Sequence, residues 1–172
     1  MRNVFFLAVA VVLATCSIAL AQAAHAPAYA LSARWNIGGD GGWDYLTVDA
    51  LARRLFVTRG DRVLVLDVVS GKVIGSVGPT KGVHGVALAP TLGKGYASDG
   101  KGNAVTVFDL KTLATTATIA IKGENPDSIV FDPPTNRVFT FNGRSHDATV
   151  IDAKSGQVIT TIPLGGKPDF AV

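Results

Sequence analysis

Self-similarity constrains what this chain can fold into more tightly than anything else in it. Residues 43–77, 84–119 and 127–162 read nearly alike. Each stretch holds four short apolar runs broken by Gly, Asp, Asn, Pro or Ser. Asp67, Asp109 and Asp152 close the third run of each, so the period is about 42 to 43 residues. Four strands recurring every 40–45 residues or so are the pattern of a propeller blade. A small sheet with two apolar faces cannot bury both alone, so neighbouring units must stack on it. A functional site then belongs in the loops and channel at one end of a ring.

The runs are rich in Val, Ile, Thr and Phe, and no convincing amphipathic helix separates them. Strands are predicted near 44–49, 54–58, 62–67 and 72–78 in the first unit. In the second they fall near 84–89, 94–98, 104–109 and 114–121, and in the third near 127–132, 137–141, 148–152 and 157–162. The turns repeat as well. Asp67-Val68-Val69-Ser70-Gly71 matches Asp152-Ala153-Lys154-Ser155-Gly156. Gly supplies the positive φ of a short hairpin, and the Asp can accept from nearby backbone N–H groups. Asp109-Leu110-Lys111-Thr112-Leu113 keeps the Asp and loses the Gly.

At 48% apolar and 17% charged, the 172 residues suit a folded chain rather than a disordered one. Part of the apolar count belongs to the N-terminus. Met1, Arg2 and Asn3 make a short basic start, residues 4–13 are uninterrupted apolar, and Ala21-Gln22-Ala23 offers an A-x-A cleavage site. This is the three-part pattern of a secretory signal peptide. Residues 1–23 are read as that peptide and 24–33 as a linker into the first strand. Residues 34–172 are read as a partial propeller, with blades near 43–79, 83–122 and 126–165 and the start of a fourth at 168–172. A retained anchor helix competes with cleavage, but the apolar core is short for a span of about 20 residues. The expected location is periplasmic or secreted, with no membrane span after cleavage. Leu13-Ala14-Thr15-Cys16 offers an alternative, a lipid anchor through Cys16. Cys16 is the only cysteine, so the mature chain relies on packing rather than disulfides. The formal charge of +3 is spread without a Lys or Arg run, which argues against a nucleic-acid partner.

The two ends share a design. Ile37-Gly38-Gly39 resembles Leu164-Gly165-Gly166, and each is followed by an Asp that opens a strand. Residues 30–37 are therefore expected to form the outermost strand of a blade. Residues 168–172 are expected to begin the next one. Three blades with two loose strands leave edges and faces open. The chain is expected to be an incomplete copy of a longer protein, one that folds poorly or associates in this short form.

Leu55-Phe56-Val57-Thr58-Arg59-Gly60 followed by Val63-Leu64-Val65-Leu66-Asp67 resembles the repeat of YVTN-type β-propeller proteins, the YncE-like exported group. Val138-Phe139-Thr140-Phe141-Asn142-Gly143 with Val150-Ile151-Asp152 fits the same frame, and Gly95-Tyr96-Ala97-Ser98-Asp99 is a looser copy. The resemblance implies an all-β fold of four-stranded antiparallel blades, seven in the complete ring, of which this chain holds about three. It implies export, and roles ranging from ligand binding to partnership with redox enzymes.

The residues opening the inner strands are Asp44, His84, Asp127 and Asp169. They occupy equivalent positions, so they should circle the channel mouth. Carboxylates and an imidazole converging there suit a cation, or acid and base work. Repeated like charges repel and call for something to neutralise them. The loops between second and third strands lie on the same face and carry Arg59, Arg62, Lys101 and Arg144, able to balance the ring or meet an anion. The bland alternative is capping of turns and solvated hairpin tips. Residues 99–103 do not make a calcium loop, because Lys101 takes a ligand position. Gly93-Lys94-Gly95 is not a phosphate loop, and no G-x-S-x-G, H-E-x-x-H or Cys pair is present. Trp35 and Trp43 are expected to pack blades. No cofactor is called for. The reading is an exported, non-enzymatic binding or scaffold module for a small polar molecule, a cation or a protein partner. Its ligand face is ringed by Asp44, His84, Asp127 and Asp169, with Arg59 and Arg144 nearby. Two alternatives are a metal-dependent, lactonase-like hydrolase using the same carboxylates and His84, and a non-catalytic partner of a periplasmic redox system.

Overall fold

Apolar residues alternating on both faces of short strands produce three consecutive meanders here. The computed structural model describes residues 29–171, so the expected signal peptide, the lipid anchor at Cys16 and the linker before residue 29 lie outside the described residues. The chain divides into two units, Met1–Arg34 and Trp35–Val172, and every strand among the described residues belongs to the second. Blade 1 comprises β1 (Leu46–Asp49), β2 (Arg54–Thr58), β3 (Val63–Asp67) and β4 (Val73–Val77). Blade 2 comprises β5 (Val83–Ala89), β6 (Lys94–Asp99), β7 (Ala104–Asp109) and β8 (Thr115–Ala120). Blade 3 comprises β9 (Pro126–Asp132), β10 (Arg137–Asn142), β11 (Asp147–Asp152) and β12 (Val158–Pro163). Each is a four-stranded antiparallel sheet in sequence order. These are three adjacent blades of an incomplete β-propeller, and the chain is all-β. Among the described residues no helix is long and apolar enough to cross a membrane.

The core lies between blades rather than inside them. Phe56, Val63 and Val65 of blade 1 meet Val83, Ala97 and Phe108 of blade 2. Tyr96, Val105 and Val107 of blade 2 meet Ile129, Val138 and Ile151 of blade 3. Burying such a side chain stabilises the fold by about 1.5–3 kcal/mol. The second strands of blades 1 and 2 add polar ties to the next blade. Arg54 donates to the Leu110 carbonyl at 2.5 Å, and Tyr96 donates to the Ala153 carbonyl at 2.5 Å. Burial, with the Asp152 charge behind it, pushes the Tyr96 phenol up to about 12.

The repeated Asp residues hold the β3–β4, β7–β8 and β11–β12 turns. Asp67 Oδ1 accepts from the Ser70 N–H at 2.7 Å, Asp109 Oδ1 from Thr112 at 2.7 Å, and Asp152 Oδ1 from Ser155 at 2.7 Å. These backbone donors hold all three carboxyls below their usual range. The positive-φ position that follows is Gly71 and Gly156 in two turns, but Leu113 (φ 63°) in the other. Leu113 accepts that strain because its side chain packs on blade 1, where a Cβ on Gly75 would lie 2.6 Å from Leu113 Cδ1.

Three expectations are corrected. Residues 30–37 form no strand: residues 29–45 carry no regular structure and pair with none of the three sheets, and a strand pattern without a ladder partner forms no strand. Residues 169–171 form no strand either, because their contacts are a Tyr45 hydroxyl and a stacked ring rather than a neighbouring strand. Trp43 does not pack a blade and is 71% exposed, whereas Trp35 lies so close on Gly71 that a Cβ there would sit 2.3 Å from the indole.

Two substitutions separate packing from hydrogen bonding in blade 2. A Cβ on Gly95 would lie 2.1 Å from Phe108 Cζ, so Gly95→Ala is expected to cost about 1–3 kcal/mol in urea unfolding. Tyr96→Phe keeps the ring and leaves the Ala153 carbonyl only its longer bond from Lys94 Nζ at 3.3 Å, for an expected loss of about 0.5–1.5 kcal/mol.

Candidate functional site at the channel mouth

The inner strands are irregular where the candidate residues sit. β5 pairs Val83 with Asp99 and then Val86 with Ala97, so His84 and Gly85 together face the single residue Ser98. β9 pairs Pro126 with Asn142 and then Ile129 with Thr140, so Asp127 and Ser128 face Phe141 alone. A bulge of this kind breaks the ladder and re-aims a side chain. His84 and Asp127 are both bulge residues, which turns them toward the mouth.

Hydroxyls at the ends of the second strands lock this geometry. Ser98 Oγ accepts from the Gly85 N–H at 2.9 Å and donates to the Asp127 carbonyl at 2.5 Å, tying blade 2 to blade 3. In blade 1, Thr58 Oγ1 accepts from the Asp44 N–H at 3.1 Å and donates to the Tyr45 carbonyl at 3.2 Å. Sequence reasoning passed over Thr58 and Ser98. Their shared position, at the end of the second strand in each repeat, was the available signal.

Asp44, His84 and Asp127 come together, one from each blade. His84 Nδ1 lies 2.7 Å from Asp44 Oδ2 and 3.9 Å from Asp127 Oδ1. One donor atom from each of the three falls within 4.8 Å of the others. Their side chains are 43%, 27% and 14% exposed for Asp44, His84 and Asp127, so solvent reaches the cluster. Burial pushes the Asp127 carboxyl up. The His84 charge opposes this, while Asp44 and Asp169 reinforce it. Asp169 acts through its charge and its backbone: its carbonyl accepts from the Tyr45 hydroxyl at 2.7 Å, and the Tyr45 and Phe170 rings stack at 6.0 Å. Burial, then Asp127, Asp169 and Asp44, push the Tyr45 phenol up to about 12.

Arg59 and Arg144 are placed elsewhere on this face. Arg59 Nη2 donates to the Gly39 and Asp40 carbonyls at 2.7 and 2.9 Å, clamping the segment before β1. Arg144 lines a separate cleft of about 350 Å³ with Asn125, His146 and Lys167. Gly100 forms the floor under His84, since a Cβ there would lie 2.4 Å from His84 Nε2.

Arg59, Asp99 and Asn142 occupy equivalent positions at the ends of the second strands, Asp99 and Asn142 as their last residues and Arg59 just beyond Thr58. Asp99 is 3% exposed, accepts from Thr106 Oγ1 at 2.6 Å, and has a buried Oδ1 without a partner. Burial raises its carboxyl from 3.8 to about 6, against the Thr106 hydrogen bond and Lys81. Asn142 is the neutral counterpart and donates to Thr149 Oγ1 at 2.9 Å.

No protein-family profile matches the chain. Among curated proteins it is similar to Antigen Lp49 of Leptospira interrogans serogroup Icterohaemorrhagiae serovar copenhageni (strain Fiocruz L1-130). The two are 34% identical over 96 residues, which cover 53% of this chain and 21% of that protein. The chain thus spans about a fifth of that relative's length. Solved structures of the same fold include Kuenenia stuttgartiensis hydrazine synthase, with TM-score 0.69 and 17% identity over 81% of this chain and 40% of that one. The WD40 repeats of RRP9 match with TM-score 0.67 and 12% identity over 76% of this chain and 41% of theirs. U3-55K matches with TM-score 0.65 and 13% identity over 73% of this chain and 40% of its own. At these identities the likeness to the solved structures shows the propeller fold.

Asp99 sets a pH dependence. The folded state binds its proton more tightly than the unfolded chain does, so stability falls as pH rises from 3.8 to about 6. Asp99→Asn should remove this loss and raise unfolding free energy at pH 8 by about 1–2 kcal/mol, with little gain at pH 3.5. Urea titrations of both chains at the two pH values check it. Gly100→Ala should displace His84, seen as a shift of its imidazole proton resonances with the β-sheet circular dichroism retained.

Proposed function

We propose that this chain is part of an exported β-propeller binding module of YVTN type, and that its channel mouth takes a divalent cation. One observation carries the reading: three stacked blades each contribute one donor, and the donors of Asp44, His84 and Asp127 lie within 4.8 Å of one another. One imidazole nitrogen with two carboxylate oxygens, open to solvent on one side, is a donor set for a borderline metal such as Zn²⁺ or Mn²⁺. The charge balance favours the same occupant. Burial first, and then the charges of Asp44 and Asp169, raise the Asp127 carboxyl above its usual range, and a bound cation would oppose this. The export component rests on the leader-like residues 1–23, and the YVTN assignment on the repeats around Phe56, Tyr96 and Phe139.

Binding through His84 Nδ1 exchanges its 2.7 Å contact with Asp44 for the metal, and any proton held at the donor atoms must leave as the cation enters. Titration calorimetry with ZnCl₂ and MnCl₂ in buffers of different ionisation enthalpy should show saturable binding with proton release. His84→Ala and Asp127→Asn should each weaken it by at least about tenfold. Affinity should fall early on acidification, because Asp127 takes up its proton at a higher pH than an ordinary carboxylate does. Absence of binding, or binding untouched by both substitutions, overturns the cation reading.

A further inference from the structure

A broad cleft on the described surface lies apart from the channel mouth. It lies between the tops of blades 1 and 2, has a volume of about 910 Å³, and is walled by the segment before β1, the β2–β3 turn, the β4–β5 link and Lys101. Four cations line it, Arg59, Arg62, Lys81 and Lys101, against two acids, Asp40 and Asp61. The acids balance one of them. Asp61 pairs with Arg62 at 2.5 Å, and among the described residues Arg59, Lys81 and Lys101 have no carboxylate within 4.0 Å.

The guanidiniums also converge. A Cβ built on Gly39 would lie 3.5 Å from Arg62 Nη2 and 3.8 Å from Arg59 Nη2, so both cations close on one point of backbone. Like charges brought together at a single point raise the energy of the site unless an anion joins them. The Arg59 head is held there by two carbonyls, and it arrives oriented rather than free. Gly39, Gly41, Gly60 and Gly82 all have φ between 64° and 97°, and their lack of side chains lets the cations close in: Lys101 packs against Gly82, where a Cβ would lie 2.6 Å from its Cγ.

We propose that this inter-blade cleft is a second ligand site, one that binds a small polyanion bearing phosphate or carboxylate groups. Arg62 and Lys101 are its recognition residues and Arg59 its fixed wall. The site shares no residue with Asp44, His84 and Asp127, and the proposal stands or falls independently of cation binding at the mouth.

The test is titration calorimetry of the full chain with inorganic phosphate and, separately, with citrate, at constant ionic strength set with NaCl. Binding of phosphate alone assigns a phosphoryl ligand, and binding of citrate alone a carboxylate ligand. Binding of both supports a site that reads charge. The Arg62→Ala/Lys101→Ala chain should bind at least about tenfold more weakly, the loss of one or two charge-assisted hydrogen bonds. Arg144→Ala removes a cation from the other cleft and should leave the affinity unchanged. Circular dichroism confirms that each variant retains its sheets. The proposal is overturned if neither anion binds at 10-fold molar excess or more, up to about 10 mM, a concentration at which even a millimolar site is largely filled. It is also overturned if the double variant binds as the parent does, or if Arg144→Ala weakens binding equally.

Discussion

Everything in this molecule depends on sheets being stacked face to face. A four-stranded blade of about 35 residues has two apolar faces and no interior of its own. Phe56, Tyr96, Val105, Phe108, Val138 and Ile151 reach zero exposure only because a second blade lies on them. Blade 2, covered on both sides, holds three of those six. In blade 1, Leu46 and Val48 remain 56% and 60% exposed. The energetic unit is therefore the interface, as in other repeat proteins. The polar ties obey the same logic, since Arg54 and Tyr96 reach carbonyls of the next blade rather than of their own. Such bonds reward only the stacked arrangement and fix the blade-to-blade register.

The channel-mouth cluster is a by-product of that stacking made chemically specific by two bulges. Radial packing draws the inner strands together at one end. Without the bulges, His84 and Asp127 would alternate into the ladder like their neighbours. With the extra residue they leave it, and Ser98 satisfies the backbone groups so freed. The hydroxyl does two tasks with one atom, closing the bulge of blade 2 and anchoring the bulge of blade 3. The spacing of His84 from Asp127 is thus coupled to the blade interface, and a change at the interface is transmitted to the cluster.

The sequence made some of this legible and not the rest, for physical reasons. The period, the twelve strands and the three Asp turns could be read because they are local: alternation and turn chemistry act over a handful of residues. The convergence of Asp44, His84 and Asp127 could be read because equivalent positions in a ring must approach one another. The bulges could not, since they follow from sheet pairing that residue types alone do not reveal. Residues 30–37 have the pattern of a strand, yet pattern without a ladder partner forms none. Trp43 departs from the expected packing for a related reason. An aromatic side chain signals burial only when a surface is there to receive it, and here it stands 71% exposed. The separation of Arg59 from the mouth was hidden as well, because it depends on which carbonyls its long side chain reaches.

Arg59, Asp99 and Asn142 show why chemistry in such a fold is found where the repeats disagree. All three sit at the end of the second strand at the same place in the frame, each next to a glycine. The backbone around them is nearly common property: Gly100 donates to Gly82, Gly143 donates to Asn125, and Gly60 accepts from Val83, each at 2.9 Å. On that shared scaffold one side chain is a cation clamping an incoming segment, one is a buried acid with an orphan oxygen, and one is an amide with its partners satisfied. The frame residues cannot vary without breaking a turn or an interface. The positions between them carry no such constraint, so the charge that distinguishes one inter-blade cleft from the next accumulates there.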